Sequence, residues 1–95
     1  MDLSDFPGGD LVAKGLRDLA TEQETAEALL VATGRARLRR AGIEVPAGAD
    51  AIESPEHRLY ELLEARDEGT AHGRYNALVR RLVSFERAAE HAASR

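Results

Sequence analysis

The sequence predicts an all-α fold, a small bundle of four to five helices whose C-terminal part is an antiparallel helical hairpin. Three observations predict it. Leu dominates the larger apolar residues, Ala occurs 17 times, and there are only two Phe, two Tyr and no Trp. Methyl and straight-chain side chains lose little freedom in a helix, and strand formers are scarce. Apolar residues recur at the 3.6-residue helical spacing, and helix start and stop residues separate the periodic runs. Ninety-five residues fit one helical domain, 1–95, with a modest core that needs no metal or disulfide staple.

Residues 1–9 read as an irregular lead-in, broken by Phe6-Pro7-Gly8-Gly9, with Asp10 as the cap of the first helix. From 10 to 20, Leu11, Val12, Gly15, Leu16 and Leu19 fall on one face and Asp10, Lys14, Arg17 and Asp18 on the other, which makes that helix amphipathic. Thr21-Glu22-Gln23-Glu24 matches a capping box, which places the start of the second helix at about 22. Ala28 to Ala32 is apolar nearly all round, so this helix should be central and buried. Gly34 ends it, a short basic helix from Arg35 to Ala41 follows or continues it, and Gly42 is a fitting stop.

Residues 43–53 lack periodicity and form the longest connection, with Ile43, Val45 and Ile52 available to pin it. Ser54-Pro55 starts the next helix, Ser as cap and Pro at the first helical position. It runs to about Arg66 with Leu59, Leu62 and Leu63 inward. Asp67 to Thr70 is a turn with Thr70 as cap. The last helix runs from about 71 to 92, with Tyr75, Leu78, Leu82, Phe85 and Ala89 in one stripe. The short turn makes these two helices an antiparallel hairpin.

Composition narrows the chemistry. With no cysteine, disulfides, thiolate catalysis and cysteine-based zinc sites are excluded. No apolar run approaches a bilayer span, and the acidic N-terminus is unlike a signal or transit peptide, so the cytoplasm is the expected compartment. Twelve of the thirteen basic residues are Arg, which together with abundant Ala and Gly suggests a GC-rich bacterial genome. The net charge of −4 opposes non-specific attraction to nucleic acid or anionic membrane.

Arg35, Arg37, Arg39 and Arg40 are the densest positive cluster. Guanidinium groups match phosphate oxygens bidentately, so these four are the candidate phosphate or nucleic-acid contacts. They point in several directions, and cations at a helix C-terminus are also favoured by the helix dipole. Glu86 lies in the apolar arc of the last helix, where it can pair with an Arg of the first two helices or meet an interface. His57 and Glu61, one turn apart, make half a metal site and no further ligand is identifiable, so no metal or other cofactor is expected. Pro7-Gly8-Gly9-Asp10 exposes backbone amides, but Asp10 would repel an anion there. No nucleotide-binding loop and no nucleophile–base pair appears.

The string Arg66-Asp67-Glu68-Gly69-Thr70-Ala71-His72 superficially resembles the Arg, polar, then His signature of the HEPN family of small helical ribonucleases. The resemblance covers seven residues and three fixed types. It implies Arg66 and His72 as a catalytic pair, with Arg66 on the apolar face of its helix. Sparse catalytic groups and plentiful apolar helix surface point instead to a non-catalytic protein-interaction or assembly module, a homo-oligomer or an adaptor for a protein partner. A nucleic-acid-binding or regulatory domain acting through Arg35–Arg40 is the alternative.

Overall fold

The computed structural model describes residues 2–94, which are 77% helical with no strand, so the all-α class stands. Five α-helices follow one another: α1 (Gly9–Ala20), α2 (Ala26–Thr33), α3 (Arg35–Arg40), α4 (Pro55–Arg66) and α5 (Ala71–Ala93). Short 3-10 turns occupy Leu3–Asp5, Ala47–Ala51 and Glu68–Thr70. The Cα radius of gyration is 12.8 Å, close to the roughly 12–13 Å of a folded chain this long.

Helix α2 is the centre. Ala26, Ala28, Leu29, Leu30, Val31 and Ala32 are all buried, because α1, α4 and α5 pack around it. Its closest neighbour is α1, and Gly15 sets that approach. A Cβ built on Gly15 would stand 2.4 Å from the Glu27 carbonyl oxygen and 2.4 Å from Val31 Cγ2. Only a residue without a side chain lets the two backbones come this close. Val12 and Leu19 complete the buried face of α1.

Several helix ends differ from the sequence expectation. Helix α2 begins at Ala26, not near 22, and its cap is Thr25, whose Oγ1 accepts from the Ala28 amide at 3.1 Å. Thr25 also donates to Asp18 Oδ2 at 2.6 Å, so the cap is tied to α1. Thr21 closes α1 instead, its hydroxyl donating back to the Arg17 and Asp18 carbonyls. Asp10 lies inside the first turn of α1, and Gly8 is the cap position. Ser54 precedes α4 in a left-handed conformation (φ 45°) with no capping bond from its hydroxyl, so Pro55 carries the start. Thr70 likewise caps nothing; its hydroxyl donates to the Asp67 carbonyl.

Gly34 is shared by α2 and α3, as the C-cap of one and the N-cap of the other. The end of α3 is a Schellman motif. Gly42 (φ 91°) donates to the Arg39 carbonyl and Ile43 to the Leu38 carbonyl, both at 3.0 Å. The 43–53 connection contains the Ala47–Ala51 turn and is held down by buried Val45 and Ala49, with Ile43 and Ile52 half-buried.

Helices α4 and α5 form the expected hairpin. Tyr60 and Tyr75 meet edge to face at 5.8 Å across it. Helix α5 buries Leu82, Phe85, Glu86 and Ala89. The N-terminal segment is not loose: Phe6 packs edge-on against Phe85 with ring centroids 5.7 Å apart, and Asp10 pairs with Arg81 at 2.9 Å.

Candidate functional site

Three of the four candidate phosphate-binding arginines are engaged within the chain. Arg37 forms a fork on Glu90, Nε to Oε2 at 2.7 Å and Nη2 to Oε1 at 2.9 Å, and its Nη1 donates to Glu86 Oε1 at 3.3 Å. Arg39 grips Asp50 bidentately at 2.8 and 2.9 Å and donates to the Val45 carbonyl at 3.0 Å. Arg35 joins the same Asp50 at 3.2 Å and donates to the Ala32 carbonyl. Arg40 is exposed, with no ion pair among the described residues. The segment therefore fastens α3 to α5 on one side and to the 43–53 connection on the other.

Glu86 is the one buried charged residue among those described, 4% exposed. It lies against the α2–α3 joint: a Cβ on Gly34 would meet Glu86 Oε2 at 2.8 Å. Burial pushes its carboxyl above the ordinary value against the pull of Arg37. Glu90 moves the other way, because its hydrogen bonds from Arg37 hold it below. Asp50 is lowered by Arg39 in the same manner. The lowered values of Glu90 and Asp50 are the signatures of structural ion pairs; at Glu86, which meets Arg37 of α3, burial outweighs the pair.

Arg66 and His72 are both exposed and stand on different helices, on either side of the Glu68–Thr70 turn. His72 Nε2 lies 3.2 Å from Asn76 Nδ2. Arg66 has no hydrogen bond or ion pair among the described residues. On α4, Arg66 follows buried Leu59 and Leu63 at helical spacing, yet it is exposed and its side chain meets solvent. His57 Nε2 and Glu61 Oε1 are 2.6 Å apart on the exposed side of α4, and no third ligand joins them among the described residues.

A different set of residues comes together beside Arg66. A groove of about 300 Å³ runs between the start of α2, the end of α4 and the middle of α5. Ala26, Leu63, Ala77 and Leu78 form its floor, and Arg66, Arg74 and Arg81 stand around it with Glu27. The Glu27 carboxylate is answered by Lys14 at 3.4 Å. Arg81 reaches exposed Asp10, and Arg74 is 3.8 Å from exposed Asp67. Sequence reading did not group these arginines. The signal present was Arg74 and Arg81 at an i, i+7 spacing that brackets Ala77-Leu78, placing both on one edge of the apolar stripe. A larger hollow of about 580 Å³ lies over Arg39 and residues 42–46, but its guanidinium is already bonded to Asp50.

Fold and surface together define an all-α protein with an arginine-edged apolar groove. No known protein family matches the chain, and no curated protein or solved structure does so either.

Proposed function

We propose that the chain is a small helical protein-interaction module of the bacterial cytoplasm that assembles with a second copy of itself and acts by binding, not by catalysis. One observation carries this reading. The apolar stripe of α5 is buried at Leu82, Phe85 and Ala89, yet at its other end Tyr75 and neighbouring Val79, away from the groove, are only partly buried. Helix α4 adds half-exposed Tyr60 and Leu62. A stripe that outruns its own core offers apolar surface to another helix, and removing such surface from water is the main drive to association.

Light scattering at tens of micromolar tests the reading. The expected mass is that of a dimer, and Val79→Lys should return a monomer with an unchanged helical circular dichroism spectrum. A monomeric mass for the unaltered chain refutes self-assembly. Running the same measurement with an oligonucleotide tests the alternative. Complex formation abolished by Arg40→Ala, the one arginine of the segment with no ion pair among the described residues, would move the function to the arginine segment.

A further inference from the structure

We propose that the groove between α2, α4 and α5 is a docking site for an acidic, amphipathic segment of a partner protein. This rests on the interaction-module reading and names a second partner for it, distinct from another copy of the chain.

The occupant follows from charge and shape. The protein carries a net charge of −4, which as a whole opposes an acidic segment. The groove is locally basic: Arg66, Arg74 and Arg81 from two helices line it together with Ala26, Leu63, Ala77 and Leu78. Arg66 has no carboxylate partner among the described residues. The partners of Arg74 and Arg81 are exposed and, for Arg74, at the limit of ion pairing, so incoming carboxylates can displace them at little cost. The single acid in the groove, Glu27, is held by Lys14. Guanidinium forks match carboxylates bidentately.

The floor decides between a peptide and a nucleic acid. Ala26, Leu63, Ala77 and Leu78 present methyl and isobutyl groups and no aromatic face on which a base could stack. A volume of about 300 Å³ is at the small end of ligand sites. It suits a few apolar side chains of a helix whose acidic residues flank them, the helix-in-groove mode of recognition.

Fluorescence anisotropy with three probes tests this: a labelled helical peptide of Glu and Leu, the same peptide with Gln for Glu, and a single-stranded oligonucleotide. The acidic peptide should bind, its affinity should fall with salt, and the Gln peptide should bind about tenfold more weakly. Arg66→Glu with Arg74→Glu, both at exposed positions, should weaken the acidic peptide by at least about tenfold while the helical spectrum and light-scattering mass stay unchanged. Leu78→Ser should weaken both peptides. Equal binding of the two peptides, indifference to the charge reversal, or tighter binding of the oligonucleotide would each overturn the proposal. The two readings fail separately. A monomer that still takes the acidic peptide refutes self-assembly and keeps the groove; a dimer that ignores the peptide refutes the groove.

Discussion

Replacing Gly15 by Ala should destabilise the protein, against the ordinary rule for a helix interior. In an open helix, Gly→Ala gains about 1 kcal/mol of helix propensity. At Gly15 the new methyl would sit 2.4 Å from the Glu27 carbonyl oxygen and 2.4 Å from Val31 Cγ2. The valine methyl can shift slightly. The carbonyl belongs to the buried backbone of α2 and cannot rotate away, so α1 must move off its main packing partner. Overpacking of this kind costs about 1–3 kcal/mol, and with a rigid partner the upper half of that range applies. Subtracting the propensity gain leaves a net loss of about 1–2 kcal/mol. For a domain of this size that is a fall in Tm of about 5–15 °C. Gly73 is the internal control. It lies in the first turn of α5 with nothing within 4 Å of a built Cβ, so Gly73→Ala should raise stability by about 0.5–1 kcal/mol. Thermal and urea melts followed by circular dichroism check both. If Gly15→Ala melts at or above the unaltered protein, the close α1–α2 crossing is wrong.

Burial and charge dictate two further outcomes. Leu82→Asp should unfold the domain, since it puts an unpaired carboxylate beside Phe85, whereas Leu62→Asp, at a half-exposed position, should leave a folded protein of reduced stability; equal effects in urea melts would contradict the packing. Asp18, Asp50 and Glu90 are held below their ordinary carboxylate values, so each stabilises the fold above that range and the contribution disappears as pH falls through the depressed folded value. Glu86, raised by burial, runs the other way: its contribution is complete below the ordinary Glu value and is lost as pH rises through the raised one. Urea midpoints across pH should therefore drop in acid, with Asp50→Asn making that drop shallower. Glu86→Gln should remove the decline on the neutral side, and a decline that persists in that variant would contradict the assignment.

The helices were legible in the sequence because their apolar spacing is regular. The buried centre was legible too, since Ala28 to Ala32 leaves no polar face to turn outward. Helix starts were less so. Thr21-Glu22-Gln23-Glu24 has the right letters for a capping box, but Thr25 takes the role because Asp18 of the preceding helix accepts its hydroxyl proton. That choice is tertiary and no local window contains it. The arginine cluster was visible as charge, yet its partners lie up to 53 residues away at Glu90, and no spacing rule reaches that far. The groove was hidden for the opposite reason. Leu78 reads as core by periodicity, and only the real course of α4 and α5 shows that the stripe opens to solvent there.

The contacts of Phe6 with Phe85 and of Asp10 with Arg81 join positions 79 and 71 residues apart in sequence. Helices α1 and α2, and α4 and α5, are nearer neighbours in sequence, and the packing of α4 and α5 on α2 spans intermediate distances along the chain. Contacts that close large loops form late, because the entropy of closure must be met before they return any stability. Residues 3–10 leave the ribosome well before α5, so their contacts with Phe85 and Arg81 form only after α5 has been made. Until that moment Phe85 lacks its edge-on partner and Asp10 lacks Arg81. The segment therefore ties the first residues of the fold to its last helix.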